Sequence, residues 1–126
     1  MKKIITLVTL LFGVVFSINA QDGQTSKVIS LEQTPGEFTQ KGITVSAGTY
    51  VFAVHNNEVG HDVGFVLVEK GRDVSKPENH IQTAYVTKAV ANGKTQHSKP
   101  TVLQAGEYIY FCPLNPTAID NVLVVK

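Results

Sequence analysis

The segment GEYIYFCP, residues 106–113, decides how this sequence is interpreted. Its aromatic and branched residues predict a short β-strand that ends at Cys112. Cys112 is the only cysteine among the 126 residues, so no internal disulfide can form. A lone thiol in an oxidising compartment is oxidised or dimerises unless it is buried or binds a metal. Two interpretations follow, a small buried side chain at the end of a strand and a metal ligand.

The rest of the chain is predicted to consist of short strands separated by turns. The clearest signal lies at Tyr50, Phe52 and Val54, where aromatic and branched residues stand at every second position. Turn signals include Ala47-Gly48 and Asn92-Gly93. Residues 84–90 favour a strand or a short helix, and residues 71–82 are predicted to form a long surface loop. Further strands are expected near residues 28–32, 38–45, 62–69, 101–103 and 121–125. This pattern predicts an all-β Greek-key sandwich or barrel of seven to eight mostly antiparallel strands.

Residues 1–20 have the pattern of a secretory signal peptide. Lys2 and Lys3 precede 15 uncharged residues from Ile4 to Ile18, and Ala20 is a small residue suited to the cleavage position. This stretch is shorter than the about 20 residues that span a bilayer, so a retained membrane anchor is the weaker alternative. Residues 21–26 are polar and expected to be loose, and residues 27–126 form the domain. We therefore expect a secreted or periplasmic protein with no stable membrane insertion after cleavage.

The charge pattern excludes one class of partner. Without Lys2 and Lys3, nine Lys and Arg remain against 10 Asp and Glu, a net charge of −1. The basic residues are scattered, whereas a nucleic-acid partner needs a concentrated basic face. The expected partner is a protein or redox partner that the sequence does not identify.

Two motifs carry a resemblance to a known family. The segment Gly106–Pro113 resembles the penultimate strand of a cupredoxin, a small blue copper protein of the plastocyanin and azurin type. Residues 52–57, FAVHNN, followed by Gly60-His61-Asp62-Val63, resemble the strand, turn and first ligand histidine of the same family. The resemblance covers about residues 27–126 and implies a cupredoxin fold with copper as its cofactor. It also implies that His61 and Cys112 occupy ligand positions.

The closing loop departs from the family pattern. A blue copper centre uses two histidines, one cysteine and a weak axial methionine. The pattern implies histidine three residues and methionine eight residues after the cysteine, and this chain has Asn115 and Asp120 there. Asn115 is interpreted as a turn residue. Asp120 is either a solvated turn carboxylate or a third, oxygen ligand beside His61 and Cys112.

The remaining histidines are not expected to complete this site. His55 should point away from the core, and His80 and His97 lie in polar stretches and are interpreted as surface residues. A thiol enzyme built on Cys112 and His61 lacks an orienting third group, so we expect no enzymatic activity. The favoured function is a binding or structural module with a degenerate type 1 copper site, either metal-free or weakly copper-binding. The alternative is a copper electron carrier with an altered ligand set.

The signal-peptide hypothesis gives a direct test. In an exporting host the precursor should be cut between Ala20 and Gln21, because Ala20 supplies the small residue that the cleavage position requires. Intact-mass measurement of the recovered protein should therefore show a chain that starts at Gln21. Recovery of the full-length chain in the membrane fraction would contradict this expectation.

Overall fold

The computed structural model describes residues 26–115 and 121–126. The expected signal peptide, nearly all of the expected loose segment at 21–26, and Asp120 lie outside these residues. The described residues form nine strands, β1 Lys27–Thr34, β2 Glu37–Phe38, β3 Gly42–Val45, β4 Gly48–Asn56, β5 Val66–Glu69, β6 Thr95–His97, β7 Thr101–Leu103, β8 Gly106–Phe111 and β9 Asn121–Val125. The all-β architecture expected from the sequence is confirmed.

The strands form two sheets that face each other across one core. The first sheet has the order β2-β1-β4-β6, and β7 also pairs with β4. The second sheet has the order β3-β9-β8-β5. Most neighbours are antiparallel, whereas β1 pairs with β4 and β3 pairs with β9 in parallel.

The core follows from the period-two pattern of the central strands. Most inward positions of β1, β4, β8 and β9 carry apolar side chains and are buried, and a few carry buried amides; the outward positions are more exposed. Phe65 packs between the sheets, with its ring centroid 4.9 Å from that of Phe52 and 6.0 Å from that of Tyr110. Phe38 closes this aromatic cluster with its ring edge-on to Tyr110, at 5.1 Å between centroids.

One short sequence motif occurs twice, at the starts of the core strands β4 and β8. Ala-Gly-x-Tyr occurs at residues 47–50 and again at 105–108. In each copy the tyrosine hydroxyl donates to the carbonyl oxygen four residues earlier, Tyr50 to Ser46 at 2.6 Å and Tyr108 to Gln104 at 2.9 Å. These bonds let two large phenol rings be buried while their hydroxyls keep a partner at the end of the strand.

The connection between β5 and β6 differs from its sequence prediction. It contains 3₁₀ turns at Pro77–Asn79 and Gln82–Ala84, and no strand forms at residues 84–90. Isolated bridges, including Val63 to Val90 and Val86 to Ser98, and single hydrogen bonds such as Ile81 N–H to the Leu67 carbonyl oxygen hold this segment in place. The 3₁₀ turns are the only helices in the described residues, and neither is long or apolar enough to cross a membrane.

Buried Tyr110 makes the fold sensitive to alkali. Its hydroxyl donates to the carbonyl oxygen of Gln40, and burial raises the pKa of Tyr110 from 10.0 to about 12. The folded state therefore favours the neutral phenol. The resulting contribution to the free energy of unfolding is complete below about pH 10 and is lost as the pH rises through about 12.

We expect Tyr110→Phe to remove this part of the pH dependence, because phenylalanine has no ionisable hydroxyl. Urea unfolding of wild type and variant across the alkaline range measures it. The control is Tyr85→Phe, since Tyr85 is half-buried and lies outside the core cluster. Equal alkaline losses in wild type and Tyr110→Phe would show that another group causes the loss.

Candidate metal centre

Cys112 lies at the end of β8 and faces the core. It continues the inward positions of Tyr108 and Tyr110, and only 2% of its surface is exposed. Its Sγ accepts a hydrogen bond from the backbone N–H of Gly64 at 3.2 Å. This contact places the segment just after His61 against the thiol, so the two sequence motifs do meet in the fold.

The loop that carries His61 is held by one buried amide. Asn56 is fully buried, and its Nδ2 donates to the carbonyl oxygens of His61 at 2.7 Å and Val90 at 3.0 Å. Its Oδ1 accepts from the N–H of Val59 at 3.0 Å. Glu58 has φ 58° within this turn, a left-handed backbone conformation that residues other than glycine rarely adopt. The backbone of the loop is thus fixed.

The imidazole of His61 is exposed to solvent. Its Nδ1 lies 2.9 Å from the carbonyl oxygen of Asp62. A carbonyl oxygen only accepts, so Nδ1 carries the proton in this contact and is not available to a metal.

Asn115 is buried and fully engaged with the other side of the molecule. Only 2% of its surface is exposed, and its Oδ1 accepts from the N–H of Gly36 at 2.8 Å. Its Nδ2 donates to the Thr34 carbonyl oxygen at 2.9 Å and to Gln33 Oε1 at 3.1 Å. The amide therefore ties the loop after Cys112 to the β1–β2 turn.

Gln33 extends these bonds to the thiol side of the site. It is fully buried, and its Nε2 donates to the carbonyl oxygen of Gly64 at 2.8 Å, while the N–H of Gly64 points to Cys112 Sγ. We call Gln33, Gly64, Cys112 and Asn115 the amide–thiol network. Sequence reasoning missed Gln33. The available signal was its position, since it follows Ile29 and Leu31 at every second residue and so places an amide on the apolar face of β1.

Residues 25–124 match the model of the copper binding proteins of the plastocyanin/azurin family. The chain belongs to this family of cupredoxins. The sequence has no significant match among curated proteins.

Solved cupredoxin structures share the fold. Auracyanin B superposes with a TM-score of 0.65 and 19% sequence identity, over 84% of this chain and 93% of that one. Auracyanin A, described as a "blue" copper protein from the green thermophilic photosynthetic bacterium Chloroflexus aurantiacus, has a TM-score of 0.56 and 21% identity, over 81% and 100% of the two chains. Amicyanin from Paracoccus versutus has a TM-score of 0.51 and 19% identity, over 83% and 86%.

The described donors do not match the ligand set of a cupredoxin copper centre. That set needs two imidazoles and a thiolate, whereas Asn115 offers an amide whose hydrogen bonds are already made. Within residues 26–115 and 121–126, no three His, Cys, Asp or Glu side chains come together as a possible metal site. The expected site of His61, Cys112 and Asp120 stays a prediction, because Asp120 lies outside the described residues.

The other three histidines have contacts of their own. His55 is on the outward face of β4, where its Nδ1 lies 2.8 Å from Thr95 Oγ1, and His97 is exposed. The interpretation of His80 as a surface residue is wrong. It is half-buried between the Tyr85 hydroxyl and the Val74 carbonyl oxygen, at 2.6 and 2.8 Å.

The amide–thiol network predicts a large cost for removing Asn115. Asn115→Ala should lower the free energy of unfolding by roughly 2–4 kcal/mol, because Gly36 N–H, the Thr34 carbonyl and Gln33 Oε1 lose their partner together. Chemical denaturation measures the change. The matched control is Asn92→Ala, since Asn92 is exposed and accepts one bond from Gly60 N–H. That control should change stability by no more than about 0.5 kcal/mol. Equal effects of the two variants would refute a stabilising role for the network.

Proposed function

We propose that this protein is an exported, non-enzymatic cupredoxin-like binding or structural module that does not depend on copper. One observation carries the proposal: Asn115, three residues after Cys112, is buried with three hydrogen bonds to the end of β1 and the turn that follows it. The loop that would carry a ligand histidine instead carries a structural amide.

Hydrogen-bond energetics support this proposal. To reach a metal beside Cys112, the Asn115 oxygen would have to leave Gly36 N–H. Moving the whole amide would also break its bonds to the buried Gln33 Oε1 and to the half-buried Thr34 carbonyl. Each buried polar group left without a partner costs about 1–3 kcal/mol. Metal binding would have to exceed that sum with a ligand that is weaker than imidazole.

The burial of Cys112 supports a non-enzymatic role. A nucleophilic thiol must reach its substrate and needs a base within hydrogen-bond distance. Cys112 is 2% exposed, and its Sγ accepts the Gly64 N–H. The His61 ring is exposed to solvent, whereas the thiol is buried.

The second candidate is a copper electron carrier with an altered ligand set. The observation that favours it is the Gly64 N–H directed at Cys112 Sγ at 3.2 Å, since such a donor also stabilises a thiolate. His61 lies on the adjoining loop, and Asp120 supplies an oxygen donor in the same closing loop. Copper binding separates the two candidates.

The first experiment adds Cu(II), and under anaerobic conditions Cu(I), to the mature chain of residues 21–126. We expect no intense blue colour, less than one stably bound copper per chain after gel filtration, and no rise in the unfolding temperature. A ligand that binds only the native state must raise stability, by about 2.7 kcal/mol at a concentration of 100 times Kd. The absence of a shift therefore measures the absence of binding.

Cys112→Ser is the matched control, because it removes the one soft ligand and keeps the size of the side chain nearly constant. Wild type and Cys112→Ser should respond alike to copper, apart from oxidation of the thiol in the wild type. A stable blue species with one copper per chain, lost in Cys112→Ser, would refute the copper-independent role and establish the electron carrier.

A further inference from the structure

An open cavity of about 430 Å³ lies beside the loop that follows Cys112. One side is formed by the segment Val63–Val66, another by the connection from His80 to Ala89, and a third by Pro113 and Leu114. Its volume falls within the range of about 300–1,000 Å³ that is typical of small-molecule sites. The β5–β6 connection, which adds no strand of its own, supplies one wall of this cavity.

The lining is apolar except at one place. Of the described residues that line the cavity, none is Asp, Glu, Lys or Arg, and only His80 and Tyr85 carry polar side chains. Phe65 adds a third ring to the lining. The described part of the lining offers no counter-charge, so an ionised ligand would lose hydration there without compensation. The occupant must therefore be neutral.

The directions of the hydrogen bonds made by His80 and Tyr85 follow from their partners. His80 Nε2 lies 2.8 Å from the Val74 carbonyl oxygen, which can only accept, so Nε2 carries the proton. In the neutral ring Nδ1 is then an acceptor, and the Tyr85 hydroxyl 2.6 Å away donates to it. The phenol oxygen of Tyr85 keeps a lone pair, which makes it an acceptor at the apolar wall.

We propose that this cavity binds a small, neutral aromatic molecule that carries one N–H or O–H donor. The apolar walls and the three rings favour an aromatic body, since rings pack well in offset and edge-on arrangements. The donor pairs with the Tyr85 oxygen. The inference deepens the proposed binding role and rests on it, by naming the ligand class. The test uses protein freed of metal with a chelator. The ligand proposal can therefore fail independently of the result of the copper-binding experiment.

The probes are indole and 1-methylindole, which differ in a single hydrogen-bond donor. They are titrated into the ¹⁵N-labelled mature chain, and amide chemical shifts of residues 63–66 and 114 are followed. We expect saturable shifts with indole and about five- to tenfold weaker binding of 1-methylindole, the ratio that one neutral hydrogen bond supplies. Saturation by neither probe overturns the proposal.

Three variants locate the binding. Tyr85→Phe should weaken indole to the level of 1-methylindole and leave 1-methylindole unchanged, because it removes the phenol oxygen that accepts the ligand N–H. The same change removes the donor to His80 Nδ1, so the other two variants are needed to locate the site. Ala89→Trp should abolish binding of both probes, since it fills the cavity from an exposed position and does not depend on the His80–Tyr85 bond. Val102→Trp is the control, because Val102 is 71% exposed on β7 and does not line the cavity.

Each result has a definite meaning. Equal affinity for both probes in the wild type would refute the acceptor role of Tyr85. Saturable binding that survives Ala89→Trp, or that Val102→Trp abolishes, would place the ligand elsewhere and overturn the proposal. Saturation of the shifts only by a peptide with an apolar side chain, and by neither indole, would make the cavity a protein-docking site and overturn it as well.

Discussion

The buried side chain of Gln33 joins two segments that strand pairing leaves apart. From β1 it reaches the Gly64 carbonyl on one side and Asn115 on the other. Its strand neighbour in register is Asn56, a second buried amide, which holds the His61 loop. Because a buried amide without partners costs about 1–3 kcal/mol per group, these contacts fix both loops together. The end of the sandwich near Cys112 therefore depends on amides that must all be satisfied at once.

Much of the fold could be predicted because burial in a sandwich imposes a period of two. Tyr50, Phe52 and Val54 displayed that period clearly, and all three lie in the core. Residues 84–90 were the weak point, since a short apolar run does not distinguish a strand from other buried backbone. There the chain packs Ala84 and Val90 into the core through a 3₁₀ turn and one isolated bridge.

The site was predictable only in part. The place of Cys112 followed from the strand motif, and its contact with the segment after His61 agrees with the order of the two motifs. The role of Asn115 did not follow, because its partners Gly36 and Gln33 are 79 and 82 positions away in sequence. Local composition carries no record of such distant contacts. The partial burial of His80 was missed for a related reason. Its neighbours in sequence are polar, and they do not indicate its contacts with the Tyr85 hydroxyl and the Val74 carbonyl oxygen.

The parallel pairing of β3 with β9 has a consequence for how the chain folds. Gly42 pairs with Val122, 80 positions later, so this part of the sheet closes only after the whole segment between them is available. Ordering so long a loop costs chain entropy before the pairing contributes any stability, and contacts of this range slow folding. The topology thus leaves β3 without its neighbour in the second sheet until the C-terminal strand β9 is available.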